Sequence, residues 1–441
     1  MRRTIVWGIR TFRVGRIVAS FDSLGSIGVK AKGAQPELLK EINRAHLFEI
    51  LRRERTVSRP RIAELTGLSR ATVTVLIESL LETGIVREAG IGASSGGRPP
   101  VLLQFQPGAV FALGARMHDY EWNVLLTDLD GVPHDREEAR IAGTSPDAAV
   151  AAIAQAVDRL VARNSTRRIL PAMGVGSPGL VDMRSGVIKS ATDVGWFEVP
   201  LRDMLQSRLG LHVYLANRSK VGALGEHWSG AGAGTQDMIY ISIGTGVAAG
   251  IIHAGELYIG ANSSAGELGH VTVLPDGPFC PCGNQGCLQQ LVSDPALAAL
   301  ARRRLRTADH GLLHEEYAGK PESLDAAAVF SAAERGDEMA VELLEETAGH
   351  LAVAVGNLIN LFNPEMIVLG GHFGSAGELF ADMLRQRIRT RAMAHPLSAV
   401  TIATGKLGPD AAAIGAAVLV LQHVPELLFG QTNGFGQTND E

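Results

Sequence analysis

Three helical patterns of apolar residues follow one another between residues 37 and 84. In the first, helical spacing relates Leu39, Ile42, Ala45, Leu47, Ile50 and Leu51. A second helix is predicted after Ser58, a residue type that caps helices, with Pro60 in its first turn and Gly67 at its end. A third is predicted after Ser69 and ends at Gly84. Its apolar positions are Ala71, Val75, Leu76, Leu80 and Leu81. Two short capped helices joined by a glycine turn predict a helix-turn-helix.

Two apolar segments after the third helix predict a β-hairpin. They occupy residues 85–88 and 101–105, and the segment between them ends in Gly-Gly-Arg-Pro. Glycines beside the single guanidinium of Arg98 suit insertion into a DNA minor groove. Residues 37–106 are therefore predicted to form a winged helix-turn-helix domain that binds DNA. A plain three-helix bundle with a flexible linker is the alternative.

The third helix is the predicted reading element of this domain. Its exposed early positions are Ser69, Arg70, Thr72 and Thr74. Arginine can bond guanine edges or phosphates, and hydroxyl groups suit either kind of partner. We therefore expect these side chains to lie in the major groove.

The pattern changes after residue 106 to alternating strands and helices. Strands are predicted at 111–117, 123–128, 169–176, 213–216, 238–243, 248–253, 366–369 and 400–404. Helices are predicted at 146–163, 201–209, 220–228, over much of 294–362, and at 411–421. Two α/β halves of similar order predict a bilobal body with a cleft, with lobes at 107–235 and 236–423. Residues 1–36 are expected to be a disordered extension, and residues 424–441 a loose polar tail.

Composition describes a globular protein with an ample core, at 46% hydrophobic and 20% charged residues. Charge is uneven: residues 1–105 contain 17 Lys and Arg against 9 Asp and Glu, whereas the remainder contains 24 against 37. A basic front on an acidic body favours a polyanionic partner, although residues 1–36 supply most of the excess. Because no apolar run could span a bilayer and residues 1–21 lack an apolar signal region, we expect a cytoplasmic protein without membrane contact.

All three cysteines lie close together, at Cys280, Cys282 and Cys287, and His270 precedes them. Three thiolates and one imidazole complete a tetrahedral zinc site with no position open to water, which is typical of structural zinc. Glycines at 283 and 286 allow the tight turn that returns the last cysteine to the metal. The odd cysteine count and the absence of a secretory signal argue against disulfides. The sequence therefore predicts a structural Zn²⁺ site.

Four segments of the body together resemble one known family. They are the cysteine segment, Val-Gly-Ser-Pro-Gly-Leu-Val-Asp at 175–182, Gly-Trp-x-x-Val-Pro-Leu-Arg-Asp at 195–203, and Ile-Gly-Thr-Gly-Val at 243–247. The combination resembles the ROK family, which joins bacterial sugar kinases to sugar-responsive transcriptional repressors. The resemblance covers about residues 38–422, and the predicted winged helix resembles the repressor branch, since the kinases lack it. It implies a bilobal actin-like, ribonuclease-H-like ATPase-type body that assembles as homodimers or homotetramers.

The parts that serve phosphoryl transfer in the family's kinases differ here. The kinases open their first lobe with Asp-x-Gly-Gly-Thr, a phosphate-binding turn, whereas residues 116–120 read Arg-Met-His-Asp-Tyr. Side chains would fill the phosphate space, and Asp119 would add negative charge. The kinases' Asn-Asp pair, which supplies the base, reads Asn217-Arg218, and arginine cannot accept a proton. The turn at 244–246, Gly-Thr-Gly, is retained, although a hairpin alone would also explain it. We therefore expect no catalysis.

The resemblance implies that the sugar contacts are kept. By it, Asn217, Glu267 and His270 bond sugar hydroxyls, with Gly179 beside them, and the histidine also ligates zinc. A closed metal site fixes the imidazole, and its other ring nitrogen is then a placed hydrogen-bonding group. An ionised carboxylate can accept two hydroxyl donors. For Glu267, a solvated loop charge is the alternative.

Three residues around this pocket depart from the family's pattern: Asp193, Arg218 and Gln289. The effector is therefore not expected to be a plain hexose. We hypothesise that Arg218 clamps a phosphate or carboxylate group of the ligand. An internal salt bridge, to Asp193 or Glu226, is the alternative.

Taken together, these features predict a sequence-specific transcriptional regulator of carbohydrate metabolism, a repressor, and not an enzyme. Its expected partners are double-stranded DNA with a near-palindromic operator and a sugar or sugar-phosphate effector in the cleft. Two alternatives stay open. One is a ROK-type sugar kinase with a fused DNA-binding domain, and the other is a sugar sensor that binds another protein.

Overall fold

The computed structural model describes residues 36–92, 99–118, 120–371, 373 and 378–429. Arg98 and Asp119 lie outside these residues, as do residues 1–35 and 430–441. The described chain forms two compact units: one runs up to Ala109 and includes the residues from His423, and the other runs from Val110 to Gln422. Within the described ranges, no helix combines the length and apolar character needed to cross a membrane.

The first unit opens with three helices and a small sheet. Its elements are α1 (Pro36–Glu54), β1 (Thr56–Ser58), α2 (Arg59–Thr66), α3 (Arg70–Thr83), β2 (Val86–Ile91) and β3 (Val101–Phe105), with strand order β1-β3-β2. β3 lies antiparallel to both neighbours. Leu47, Leu51, Ile62 and Ile77 are fully buried and form the core of the unit.

Local capping fixes the ends of α2 and α3. The Ser58 hydroxyl accepts from the Arg61 amide at 3.4 Å, and the Ser69 hydroxyl accepts from the Thr72 amide at 3.1 Å. Gly67 and Gly84 end the two helices at φ values of 68° and 77°, which glycine adopts without strain. The predicted starts and ends of these two helices are confirmed.

The orientation of α3 differs from the prediction. Its buried side chains are Val73, Leu76, Ile77 and Leu80. Ala71 and Val75 were predicted on the apolar inner face, but both are exposed. The inner stripe is centred on residues 73, 76, 77 and 80, so positions 71 and 75 turn outward. Apolar character alone therefore gave the wrong face for these two residues.

The second unit begins with a five-stranded sheet and a smaller one. Its first elements are β4 (Phe111–His118), β5 (Glu121–Thr127), β6 (Pro133–Arg140), α4 (Pro146–Arg163), β7 (Ile169–Ser177), β8 (Leu180–Asp182), β9 (Val187–Ala191), β10 (Trp196–Val199), α5 (Leu201–Leu209), β11 (His212–Asn217) and α6 (Arg218–Ser229). The large sheet has the order β11-β7-β4-β5-β6, and the small one β10-β9-β8.

A second five-stranded sheet follows. Its elements are β12 (Met238–Ile243), β13 (Val247–His253), β14 (Glu256–Leu257), α7 (Gln289–Val292), α8 (Asp294–Leu305), α9 (Leu312–Tyr317), α10 (Ala326–Glu334), α11 (Glu338–Phe362), β15 (Met366–Gly371), α12 (Glu378–Ile388), α13 (Ala394–Ala399), β16 (Thr401–Thr404) and α14 (Ala411–Leu421). The order β14-β13-β12-β15-β16 repeats the topology of the first sheet, with three antiparallel strands followed by two parallel ones. The predicted pair of α/β halves of similar order is confirmed.

Helices α6 and α14 form the layer that joins the two halves. α14 packs against β4, β7 and α6, while α6 also packs against β12 and β13. Contact is closest at glycines: a Cβ on Gly174 would lie 1.7 Å from the Ala416 carbonyl oxygen, and one on Gly415 would lie 1.6 Å from that of Val221. Residues 411–421 were predicted as part of the second lobe, but α14 lies on the first sheet. This is a correction that only tertiary contact could supply.

Several strands escaped prediction because their sequences are polar or short. The sequence of β6, Pro-His-Asp-Arg-Glu-Glu-Ala-Arg, forms an edge strand, where charged side chains can face water. Strands β8, β9 and β10 span three to five residues each. Segments of this length carry too little periodicity to be detected.

The C-terminal segment also departs from the prediction. Residues 424–441 were expected to be a loose tail, but α15 (Val424–Phe429) is a helix in the first unit with Val424 and Pro425 buried. It packs against α1, and the Arg44 guanidinium lies 4.3 Å from the centre of the Phe429 ring. The apolar residues of this helix gain burial by packing against α1.

Candidate functional site

The start of α6 organises the candidate effector site. Asn217 ends β11 and caps α6, where its Oδ1 accepts from the Ser219 amide at 2.8 Å. Its Nδ2 donates to the Gly179 carbonyl at 2.7 Å. Gly179 has a φ of 79°, and a Cβ there would lie 2.2 Å from the Ser190 carbonyl oxygen, so only glycine fits. The structure thus brings together two of the predicted effector residues, Asn217 and Gly179.

Arg218, the next residue, contacts two separate segments of the chain. Its Nη1 lies 3.4 Å from His118 Nδ1 at the end of β4, and its Nη2 donates to Thr245 Oγ1 at 3.3 Å in the Gly-Thr-Gly turn. The same Nη2 lies 3.9 Å from Asp193 Oδ2, a long and partly exposed ion pair that contributes little by itself. One guanidinium therefore connects the two segments that the resemblance assigns to phosphate binding.

Of the two salt bridges considered for Arg218, the structure contains the one to Asp193. The Glu226 carboxylate accepts instead from backbone amides of Ala231, Lys406 and Leu407, at 2.7, 3.1 and 2.9 Å. These bonds tie the end of α6 to the loop after β16. Glu226 is a structural anion rather than the partner of Arg218.

A buried lysine was missed by the sequence analysis. Lys220 lies one helical turn after Asn217, its side chain is 3% exposed, and its Nζ is 4.0 Å from Glu267 Oε1. Burial lowers the pKa of the Lys220 ammonium, and burial raises the pKa of Glu267, which Lys220 and His270 oppose. The available signal was the Asn-x-x-Lys spacing, which places Lys220 in the first turn of the helix that Asn217 caps. Glu267 is therefore a partly buried, paired group and not a solvated loop charge.

The metal-site prediction can be tested by distances. The ligand atoms of His270, Cys280, Cys282 and Cys287 all lie within 4.8 Å of one another. His270 Nδ1 is 3.7 Å from Cys280 Sγ, and Cys282 Sγ is 3.7 Å from Cys287 Sγ. A tetrahedral zinc with bonds of about 2.3 Å to sulfur requires sulfur atoms roughly 3.8 Å apart. The four residues fit a zinc ion, and at this separation the Cys282 and Cys287 sulfur atoms are not bonded to each other.

The loop around these ligands is shaped by glycine and by backbone hydrogen bonds. Gly286 has a φ of 69°, and a Cβ there would lie 1.6 Å from the Leu274 carbonyl oxygen. The Cys280 amide donates to the Asn284 carbonyl, and the Gln290 side-chain amide approaches Cys280 Sγ at 3.7 Å. Burial raises the pKa of the Cys287 thiol to about 12. A metal at this site would have to displace that proton, as zinc does with its thiol ligands.

Four of the five predicted DNA-binding residues, Ser69, Arg70, Thr72 and Thr74, lie at the start of α3 in the first unit, and the fifth, Arg98, lies outside the described residues. The Ser69 and Thr72 hydroxyls are 2.8 Å apart, and the Thr74 hydroxyl donates to the Arg70 carbonyl at 2.9 Å. Ser69 and Arg70 are exposed, whereas Thr72 and Thr74 are half-buried. Three of the four predicted reading side chains are thus engaged in local hydrogen bonds, and Arg70 is the charged group at this end of the helix.

Comparison with known proteins gives one consistent result. Residues 116–423 match the ROK family. The xylose repressor of Caldicellulosiruptor bescii is 31% identical over 388 residues, covering 87% of this chain and 96% of the repressor. The glucokinase of Halalkalibacterium halodurans is 37% identical over 272 residues, covering 61% of this chain and 82% of the kinase. The crystal structure of a ROK family transcriptional regulator, a homolog of the E. coli MLC protein, has a TM-score of 0.78 at 25% identity, covering 88% of this chain and 98% of that one. The chain belongs to the ROK family.

Proposed function

We propose that this protein is a transcriptional repressor that binds DNA through its first unit and is controlled by a sugar-type effector bound in its body. Repressors and regulators match nearly the whole chain, whereas the glucokinase matches 61% of it. The observation that carries the proposal is Arg218. A permanent cation stands where the kinases place their base, and it contacts both turns that would hold phosphates.

In this proposal the first unit is a winged helix-turn-helix. Its two consecutive capped helices, α2 and α3, and its β2–β3 hairpin have the required order. α3 enters the major groove, and the segment that contains Arg98 enters the minor groove. The protein acts in the cytoplasm as a homodimer or homotetramer on a near-palindromic operator, since two copies of one unit read two related half-sites.

The body acts as an actin-like sensor without catalysis. Asn217, Gly179, Glu267 and His270 surround the sugar, and Lys220 joins them as the ion partner of Glu267. His270, Cys280, Cys282 and Cys287 would hold a structural zinc, which would supply rigidity. With His270 Nδ1 turned toward the cysteines, its Nε2 is the nitrogen left for a ligand hydroxyl.

Arg218 selects an effector that carries a negative charge. Its ion pair with Asp193 is long and partly exposed, so a phosphate or carboxylate on the ligand can replace Asp193 as the partner. Calorimetry with paired neutral sugars and sugar phosphates tests this clamp. We expect tighter binding of the phosphates, lost in Arg218→Met. Equal affinity for both members of each pair would remove the clamp and leave the Asp193 ion pair as the role of Arg218.

Selection of bound sequences from random DNA tests the proposed function. We expect enrichment of a near-palindrome, a steep loss of affinity with salt, and release or retuning by one class of sugar. Failure to enrich any sequence, with or without sugars, would overturn the proposal.

A second candidate, a sugar kinase with a fused DNA-binding domain, is favoured by the identity to the glucokinase. Assays of ATP turnover across a panel of sugars decide between the two. Turnover that disappears in Asn217→Ala would establish the kinase.

A further inference from the structure

The outward stripe of α3 has two chemically different halves. Ala71, Val75, Glu78 and Glu82 follow one another at helical spacing and are all exposed. Val75 is 56% exposed, whereas Val73, Leu76, Ile77 and Leu80 of the same helix are buried. The stripe is therefore apolar near the start of α3 and acidic near its end.

The charge distribution indicates which half approaches DNA. Glu78 and Glu82 would be repelled by phosphates, whereas Arg70 at the start of the helix would be attracted to them. The helix dipole adds partial positive charge at the same end. The first two turns of α3, with Ala71 and Val75 on their outer side, are thus the part that fits a major groove.

The hydroxyl groups at this end are committed to the helix itself. Ser69 caps α3 and bonds Thr72, and Thr74 bonds the Arg70 carbonyl. Besides Ser69, the exposed side chains at this end are Arg70, Ala71 and Val75, which offer a guanidinium and methyl groups to base edges. In the major groove the apolar feature of a base pair is the C5 methyl of thymine.

We propose that Ala71 and Val75 form a methyl-reading surface that selects thymine in each operator half-site, a proposal that rests on the proposed function. Val75 makes the main contact, because its two methyl groups extend beyond the backbone. Ala71 lies one turn earlier on the same side and lets the groove floor approach closely. The acidic residues that follow limit contact to the first half of the helix.

Substitution of deoxyuridine for thymidine tests the proposal, since the two nucleosides differ only by the C5 methyl group of the base. Each thymine of the selected operator is replaced in turn, and binding is measured for the full chain and for Val75→Ala. We expect at least one position per half-site where the parent protein loses about fourfold in affinity, equivalent to ~0.8 kcal/mol for one buried methyl-sized group. Val75→Ala should bind the thymine and deoxyuridine operators equally at that position.

The matched control is Val132→Ala, because Val132 is 51% exposed and lies in the body. It should keep the parent's methyl discrimination. Val75→Ala should also unfold no earlier than the parent, since alanine is the better helix former at an exposed site.

Three outcomes would count against the proposal. If the operator is bound specifically but no thymine shows a methyl effect, the proposal is overturned. The same holds if Val75→Ala keeps the parent's ratio of affinities. If the parent protein selects no sequence at all, the proposed function fails and this inference fails with it.

Discussion

Side-chain caps occur in both units of this protein, as at Ser69 of α3 and Asn217 of α6, but backbone contacts too close for a Cβ are found at described glycines of the body only. In the first unit, α2 and α3 each begin at a serine that caps the helix with its own hydroxyl and end at a glycine of positive φ. In the body, α6 and α14 come from distant parts of the chain and meet where Gly415 leaves no room for a side chain. Local signals are redundant, and each contributes little. Close backbone contacts cannot adjust, so we expect single changes in the body to have the larger effects.

The largest effect is expected for Gly174→Ala in β7. The added Cβ would lie 1.7 Å from the Ala416 carbonyl oxygen, and both atoms belong to backbone held in a sheet or a helix. Forcing α14 away from the first sheet should lower the free energy of unfolding by about 3 kcal/mol or more. Urea unfolding of the purified variant measures this.

Gly349→Ala is the matched control for that variant. Gly349 lies inside α11, and nothing lies within 4 Å of a Cβ built there. Replacement should be neutral or stabilise the body by about 0.5–1 kcal/mol, because alanine loses less backbone entropy in a helix. If Gly174→Ala were as stable as Gly349→Ala, the described packing of α14 on β7 would be wrong.

This contrast also explains how much of the fold the sequence could predict. The bounds of α4, α5, β12 and α14 were predicted without error, although their local signals differ: Ser145 caps α4, whereas α14 has no side-chain cap. The side of the molecule on which α14 packs was not, since its sequence is apolar all round and fits any buried position. The face of α3 was assigned wrongly at Ala71 and Val75 for a related reason: an alanine and a valine fit either side of a helix.

The residues of the candidate site also differ in whether the sequence alone could predict them. The cluster of four candidate metal ligands could be predicted because three of them lie within eight residues and their chemistry is distinctive. The contacts of Arg218 with His118 and Thr245 join three separate elements, which spacing along the chain cannot reveal. Lys220 had a signal in its distance from Asn217, but the buried partner Glu267 comes from another part of the body.

The segment that contains His270 and the three cysteines is encoded locally in the sequence. Cys282→Ser tests whether its four candidate ligands hold a metal as a closed site. Cys282 is exposed, so the change removes a ligand without opening a cavity. We expect zinc to fall from about one ion per chain to none after dialysis, with loss of the response to effector. Metal analysis and thermal shift with ligand measure the two effects.

The control for the loop is Asp276→Asn, an exposed change in the same segment outside the group of four ligands. It should keep both zinc and response. Retention of zinc by Cys282→Ser would show that the four residues do not act as a closed site.

In the first unit, we expect Arg70→Ala to lower the affinity for DNA and to leave the stability of the protein unchanged. If Arg70 bonds a base edge, specific affinity should fall by about 1–3 kcal/mol while non-specific affinity changes much less. Fluorescence anisotropy with operator and scrambled duplexes measures both. Arg140→Ala, which removes an exposed arginine of the body paired with Glu121, is the control and should change neither. An equal loss on both duplexes would make Arg70 a phosphate contact.

The smallest effect is expected at Ser69, where capping and base contact can be separated. Ser69→Ala removes the bond to the Thr72 amide and should cost about 1 kcal/mol of stability. Ser69→Asn keeps a side-chain oxygen that caps equally well, so it should retain the parent's stability. If Ser69 only caps α3, operator affinity in Ser69→Asn should also stay at the parent's value, as anisotropy can measure. A loss of operator affinity in Ser69→Asn without a loss of stability would instead make Ser69 a direct DNA contact. Its hydroxyl would then both cap α3 and bond the operator.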